Sequence, residues 1–110
     1  MELNRRISPR DVMLLPGGEA HYFSVGESAI HEIGIALQMA GNRAPARALD
    51  LPCGYGRVLR RLRTEYPDAQ ITACDIDLDA LQFCGEEFDA IPVQSSEDCS
   101  IVGAVLSLRI

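Results

Sequence analysis

Apolar residues recur at helical spacing in the first third of the chain. The positions that share one face are Gly26, Ile30, Ile33, Leu37 and Ala40. This i, i+4, i+7 spacing is typical of an amphipathic helix. Ser24 followed by Glu27 matches the capping-box pattern of a helix start, and Gly41 provides a stop. The pattern predicts a helix over residues 25–40, after an irregular segment 1–23 that prolines and glycines punctuate.

Beyond this helix, short apolar runs alternate with helical segments. Strands are predicted over 46–51, 70–75 and 91–93, and a helix over 57–65. A further helix is predicted from about Leu78, and the residue before it is a plausible cap. The polar stretch 95–100 favours a loop, and the apolar stretch 101–110 favours a fourth strand.

The predicted helices each have an inner and an outer face. In the helix over 57–65, Val58, Leu59 and Leu62 are expected to face inward. The residues of that helix expected to face solvent are Arg60, Arg61 and Arg63. In the next helix, Asp77 is the expected cap, and the expected inner residues are Leu81, Cys84 and Phe88.

Alternation of strand and helix at this spacing indicates β-α-β units and a parallel sheet. Because such crossovers are right-handed, the predicted fold class is α/β, a doubly wound parallel sheet. We expect residues 24–110 to form one partial domain of this class, ending after about the fourth strand.

Composition narrows the function classes. The chain has 110 residues, of which 47% are hydrophobic and 24% charged, as in globular domains. No apolar stretch approaches the roughly 20 residues that cross a bilayer, and no secretory signal is evident. We therefore expect a cytoplasmic protein without membrane contact. The net charge of −6 gives no indication of nucleic-acid binding, which needs a basic surface. The four cysteines and two histidines lack the spacing of a zinc site.

The first predicted strand leads into a glycine-containing turn with candidate binding chemistry. The run at residues 49–57 is Leu-Asp-Leu-Pro-Cys-Gly-Tyr-Gly-Arg. Ligands of parallel sheets sit at the carboxyl ends of the strands. Gly54 and Gly56 let the backbone turn tightly and approach a ligand. The following helix directs free N–H groups towards an anionic group such as a carboxylate. Asp50 can accept hydrogen bonds from an ammonium group or from backbone N–H groups.

The second predicted strand ends in another carboxylate. Asp75 stands where an acid can accept hydrogen bonds from both hydroxyls of a ribose. A ligand that matches both strand ends therefore carries an amino-acid end and a nucleoside end.

These residues resemble those of class I S-adenosylmethionine-dependent methyltransferases. Residues 48–62 are similar to the first motif of that family, and Asp75 is similar to its second-strand ribose acid. The lead-in that begins at Tyr22 resembles the N-terminal helix of a bacterial subgroup with an L-D-L-P-C-G-x-G-R loop. The resemblance covers roughly residues 22–98 and implies a Rossmann-like fold.

The resemblance also implies a cofactor, S-adenosyl-L-methionine, and a set of contacts. The methionine part of this cofactor would contact Gly54, Gly56 and Asp50. The ribose would contact Asp75, and the adenine would contact Ile76 and the loop after the third predicted strand. Tyr22 either closes over the methionine end or packs in the core. The candidate cofactor-binding residues are Asp50, Pro52, Cys53, Gly54, Tyr55, Gly56, Arg57, Asp75, Ile76, Ser96 and Glu97.

Three hypotheses of function follow. The first is methyl transfer to a small-molecule acceptor, with this chain as the donor-binding half, because the family's sheet has more strands than the four predicted here. The second is a dinucleotide-dependent oxidoreductase fragment, although Leu59 stands where G-x-G-x-x-G needs glycine and Asp50 would repel a pyrophosphate. The third is an inactive remnant or interaction module. An exposed sheet edge is a candidate for self-association, and no catalytic residue is assigned.

Overall fold

In the part of the chain that the structure describes, a three-stranded parallel sheet forms the centre of the fold. The computed structural model describes residues 2–41 and 44–95. Its strands β1 (Arg47–Asp50), β2 (Gln70–Asp75) and β3 (Ile91–Gln94) pair in the order β1-β2-β3, and both pairs are parallel. The predicted α/β class and parallel sheet are confirmed. Both strands that end in a candidate acid reach the same edge of the sheet.

Within residues 2–41 and 44–95, three helices accompany the sheet. They are α1 (Glu19–Met39), α2 (Leu59–Glu65) and α3 (Leu78–Phe88). Helix α3 packs on β2 and β3, and α1 packs on α2. The buried core joins the strands to the inner faces of the helices. Its members include Ile30, Ala48, Leu59, Leu62, Ile71, Ala73, Leu81, Cys84 and Phe88.

The start of α1 differs from the prediction. The helix begins at Glu19, with Gly18 as its N-cap residue, so residues 19–23 are helical rather than irregular. Ser24 lies inside the helix, where its hydroxyl donates to the carbonyl of His21 at 2.8 Å instead of capping. The apolar face extends a turn further back because Tyr22 and Phe23 are buried. The capping-box pattern was therefore misleading at this position.

The start of α2 also differs from the prediction. The helix begins at Leu59, and Arg57 and Val58 belong to the preceding turn. Its inward residues Leu59 and Leu62 are buried as expected. Arg60, which was expected to face solvent, is 1% exposed, so that prediction is wrong.

Arg60 is buried because the surrounding backbone supplies acceptors for its guanidinium group. Its partners are the carbonyls of Asn4, Arg6, Tyr55 and Gly56 and the hydroxyl of Tyr22, at 2.7–3.2 Å. The aromatic rings of Tyr22, Phe23 and Phe88 lie 5.3, 5.7 and 4.8 Å from the guanidinium carbon. A charge can be buried when hydrogen bonds replace its hydration. Helical periodicity does not reveal this, because most of these partners lie far away in sequence.

Helix α3 agrees with its prediction. Asp77 is the N-cap residue, and its Oδ1 atom accepts from the N–H groups of Asp79 and Ala80 at 2.9 and 3.3 Å. The expected inner residues are buried. The helix ends at Phe88 and is followed by Asp89, which has a φ of 53°. Local capping and periodicity were sufficient to place this element.

The chain before α1 packs along α3 without forming a helix or strand over residues 2–18, here called the N-terminal strap. Near its start, Asn4 and Arg6 bond to Glu87 at the end of α3. Further on, Arg10 pairs with Asp79 in the first turn of α3, with 3.4 Å between the nitrogen and oxygen atoms. The strap therefore runs the length of that helix.

Some predictions fall on residues outside 2–41 and 44–95. These are the fourth strand over 101–110 and the site candidates Ser96 and Glu97. Among the residues that the structure describes, no helix is long and apolar enough to cross a membrane.

Candidate functional site

Two carboxylates mark the carboxyl ends of β1 and β2. Asp50 is the last residue of β1 and pairs in register with Ala73. Asp75 ends β2, two positions further along that strand, and pairs in register with Gln94. The turn that follows β1 begins directly after Asp50 and is hydrogen-bonded to Asp75. The parallel register therefore brings the two predicted acids to the same edge of the sheet.

The turn is tied to the end of β2 by backbone hydrogen bonds. The N–H of Cys53 donates to the carbonyl of Cys74 at 3.0 Å. The N–H of Gly54 donates to Asp75 Oδ2 at 2.8 Å. Gly54 has a φ of +53°, a conformation that glycine adopts without strain. Asp75 therefore helps to shape the turn as well as standing beside it.

The second glycine of the turn serves packing. Gly56 has a φ of +86°, and a Cβ atom there would overlap the ring of Phe88. Among the described residues, those that line the cavity do not include Gly56. Glycine is needed at this position because the backbone lies against the core, which is a different reason from the expected ligand contact.

A cavity of about 290 Å³ opens beside the turn at the ends of β1 and β2. Seven of the predicted site residues line it together: Asp50, Pro52, Cys53, Gly54, Tyr55, Arg57 and Asp75. The other lining residues are Asp11, Val12, Met13, Val58, Asp77 and Ala80. The volume is near the lower end of the range for small-molecule sites. The cavity thus gathers most of the predicted candidates that the structure describes.

The remaining predicted residues lie elsewhere. Ile76 is 53% exposed and, like Gly56, is not among the described residues that line the cavity. Tyr22 is buried, and its hydroxyl donates to Asp11 Oδ2 at 2.5 Å. Tyr22 therefore packs in the core, one of the two alternatives that the sequence left open.

Sequence reasoning missed the strap residues Asp11, Val12 and Met13. No local motif marks them, because they reach the cavity only when the strap folds back over α3. Asp77 was recognised as a helix cap, and the structure places it on the cavity wall as well. The short Asp-Ile-Asp spacing after β2 was the available signal for that second position.

Asp50 lies on the cavity wall in surroundings that disfavour its charged form. Burial, and then the negative charge of Asp75, raise the pKa of Asp50 from 3.8 to about 6. Its Oδ2 atom is fully buried and has no hydrogen-bond partner among the described residues. A buried carboxylate oxygen without a donor is costly. The side chain is therefore suited to a ligand that brings a positively charged donor.

Asp75 has a different environment. It is 8% exposed, and its two oxygens accept from the N–H groups of Gly54 and Asp77 at 2.8 and 3.0 Å. A carboxylate has about four lone-pair positions, so Asp75 keeps acceptor capacity for further donors. The site thus combines one unsatisfied acid with one that is held in place by the backbone.

The Cys53 thiol lies on the cavity wall without the properties of a nucleophile. A hydrogen bond with Cys84, followed by burial, raises the pKa of Cys53 well above its ordinary value. Because the thiolate is the reactive form of cysteine, the residue contributes shape rather than covalent chemistry.

Comparison with known proteins agrees with the methyltransferase resemblance of the site residues. A family model described as "Methyltransferase small domain" matches residues 35–102, which include β1, the turn, α2, β2, α3 and β3. Comparison with curated proteins and with solved structures finds no significant match. The family match spans more than half of the chain and contains both strand-end acids. The chain therefore belongs to the methyltransferase small domain family.

Proposed function

We propose that this chain binds S-adenosyl-L-methionine in the cavity at the carboxyl ends of β1 and β2 and serves methyl transfer to a small-molecule acceptor. Membership of a methyltransferase family supports the class of reaction. The observation that carries the choice of donor is the buried Oδ2 atom of Asp50, which has no hydrogen-bond partner within the described part of the chain. A ligand with an ammonium group supplies a hydrogen-bond donor for this atom and a positive charge that offsets the carboxylate.

The second acid supports the nucleoside half of the ligand. Asp75 ends the strand next to that of Asp50, and its bonds to two backbone N–H groups fix the direction of its carboxylate. Ribose hydroxyls are donors that such a fixed carboxylate recognises. Asp50 and Asp75 together match a ligand that carries an ammonium group at one end and a ribose at the other.

The charge of the cavity favours this donor over a dinucleotide. Asp50, Asp75 and Asp77 line the cavity with Arg57 as the basic residue among its described lining. A sulfonium and an ammonium group are attracted to this acidic wall, whereas a pyrophosphate is repelled by it. No observation favours the oxidoreductase hypothesis to the same degree.

In this proposal the residues of the chain bind the donor and fix its orientation. Bound S-adenosyl-L-methionine would supply a methyl group on a positively charged sulfur, and the neutral thioether would be the leaving group. Asp50 would hold the ammonium group and Asp75 the ribose, so that the donor keeps one orientation. Holding reactants in a fixed orientation removes much of the entropic barrier to a displacement.

Calorimetric titration of the full chain tests the proposal. We expect S-adenosyl-L-homocysteine to bind and NADH not to bind. Asp50→Asn is the sharper variant because Asp75→Ala also removes the acceptor for Gly54 N–H and disturbs the turn itself. The variant should bind S-adenosyl-L-homocysteine at least about tenfold more weakly, the loss typical of one charge-assisted hydrogen bond.

Two controls make the result specific. Asp68→Asn removes the same charge from an exposed position and should leave binding unchanged. Adenosine lacks the ammonium group, so Asp50→Asn should affect its binding much less than that of S-adenosyl-L-homocysteine. Tighter binding of NADH than of S-adenosyl-L-homocysteine by the unmodified chain would refute the proposal.

The acceptor is addressed by a separate experiment. Incubation with methyl-labelled donor and a mixture of small metabolites, proteins and nucleic acids should transfer label into the small-molecule fraction. Label that appears only in protein or nucleic acid would contradict the proposed acceptor class. Self-association through a sheet edge stays a prediction, which sedimentation of the same chain tests.

A further inference from the structure

The N-terminal strap reaches the candidate site through a chain of buried hydrogen bonds. Arg60 donates to the carbonyls of Tyr55 and Gly56 at 3.2 and 2.8 Å, which belong to the turn beside the cavity. The same guanidinium group donates to the Tyr22 hydroxyl at 3.1 Å. That hydroxyl donates in turn to Asp11 Oδ2 in the strap. One buried network thus joins the turn to the strap.

Burial acts against the charge at the centre of this network. It lowers the pKa of the Arg60 guanidinium, whereas interactions with Tyr22 and Asp11 oppose that shift. Guanidinium groups remain charged in proteins, so the negative charge of Asp11 is part of what makes the burial of Arg60 tolerable. The strap is therefore electrostatically tied to the turn.

Asp11 also fixes the backbone that follows it. Its Oδ1 atom accepts from the N–H of Met13 at 3.0 Å, and its own N–H donates to the carbonyl of Ser8 at 3.0 Å. These bonds set the conformation of Val12 and Met13, which both line the cavity. Asp11 thus links the buried network to two side chains of the cavity wall.

Val12 and Met13 are the notable members of that wall. They are 82% and 57% exposed, although the strap around them is anchored at several points. These two large apolar side chains lie at a cavity that is also lined by carboxylates. Their exposed apolar surface is available for a ligand to cover. The rest of the lining combines carboxylates with apolar side chains such as Pro52, Val58 and Ala80.

We propose that Val12 and Met13 form an apolar contact surface for the ligand at the mouth of the cavity, and that Arg60, Tyr22 and Asp11 act as positioning residues that hold them there. The inference rests on the proposed function for the identity of the probe. It adds a contact surface that none of the site's sequence motifs contains. Ligand binding buries the two side chains, and the buried network keeps them from moving away from the cavity.

Calorimetric titration of the full chain with S-adenosyl-L-homocysteine tests the contact surface. The double variant Val12→Ser/Met13→Ser should bind at least about tenfold more weakly, because apolar area is no longer buried on binding. Both positions are exposed, so the substitutions leave the core intact. Leu15→Ser is the matched control: it is 65% exposed in the same strap, is not among the described lining residues, and should bind normally.

A double-mutant cycle tests the positioning role. Tyr22→Phe removes the hydroxyl that joins Arg60 to Asp11 and should weaken binding several-fold. In the Val12→Ser/Met13→Ser background the same change should have little further effect, because the contacts that it positions are already gone. A merely structural role of Tyr22 would weaken binding equally in both backgrounds.

The outcomes separate this inference from the proposed function. If the unmodified chain binds S-adenosyl-L-homocysteine and the serine double variant binds equally well, the inference is overturned while the proposed function stands. An equal effect of Tyr22→Phe in both backgrounds overturns the positioning role. If the unmodified chain does not bind the probe, the proposed function fails and the inference falls with it. Selective loss in the double variant, with a non-additive cycle, supports it.

Discussion

Replacing Asp50 by asparagine should change the free energy of unfolding, relative to the unmodified chain, more favourably at neutral pH than at acidic pH. It should do so although it removes a binding group. The charged carboxylate is held among buried groups near Asp75, with one oxygen lacking a partner among the described residues. Asparagine has nearly the same shape and carries no charge. The substitution therefore isolates the energetic effect of the charge. A residue kept at the expense of stability is typical of a binding site.

The magnitude follows from the pKa of the group. The pKa of Asp50 rises from 3.8 to about 6 on folding, so the folded state binds the proton more tightly than the unfolded state. Each pKa unit corresponds to about 1.4 kcal/mol, which gives a total effect of about 3 kcal/mol above the folded pKa. The sign is destabilising: stability falls as the pH rises from the unfolded pKa through the folded one, and then stays constant.

Urea unfolding of both proteins at two pH values measures this effect. Between about pH 4.5 and about pH 7.5, the destabilisation of the folded state by the charged Asp50 carboxylate grows by about 2 kcal/mol. The free energy of unfolding of Asp50→Asn should therefore improve by that amount relative to the unmodified chain across the interval. Titrating groups that do not interact with Asp50 are common to both proteins and cancel in the difference.

The comparison across pH is more informative than one value, because the new amide also needs hydrogen-bond partners and this cost does not change with pH. A difference between the two proteins that stays constant from acidic to neutral pH would refute the electrostatic reasoning. A difference that grows in favour of the unmodified chain would refute it more strongly. Asp68→Asn, at an exposed position, should show no comparable change.

Three further substitutions test the fold around the site. Gly56→Ala should destabilise the protein by about 2–4 kcal/mol in thermal unfolding, because φ is positive there and the new Cβ atom would overlap the Phe88 ring. The control Gly17→Ala also has a positive φ but lies in open space, so it should cost only about 1 kcal/mol. Arg60→Lys should lower the free energy of unfolding in urea by about 3 kcal/mol, since one ammonium group cannot replace a five-bond guanidinium network, whereas Arg47→Lys at an exposed strand position should be neutral. Asp77→Ala should cost about 1 kcal/mol by removing the cap of α3, and a value near zero in the same assay would contradict the capping role.

The elements that local patterns describe were predicted well. Helix α3 combines a capping aspartate with a regular apolar face, and both are properties of adjacent residues. The three strands follow from short apolar runs, and their parallel pairing follows from the helices between them. The start of α1 was misplaced because Ser24 offers a capping pattern, while burial of Tyr22 and Phe23 makes an earlier start more favourable. Tertiary packing overrides local propensity in such cases.

The sequence alone determined the parallel α/β order, the glycine turn and the two acids at the strand ends, because each depends on residues close together in the chain. Only the tertiary structure decided which residues complete the site. It turned Arg60 inward, because carbonyls from the strap and the turn converge on its guanidinium group. It also brought Val12 and Met13 to the cavity. Contacts between distant segments depend on how the chain folds back on itself, and no local pattern encodes that geometry.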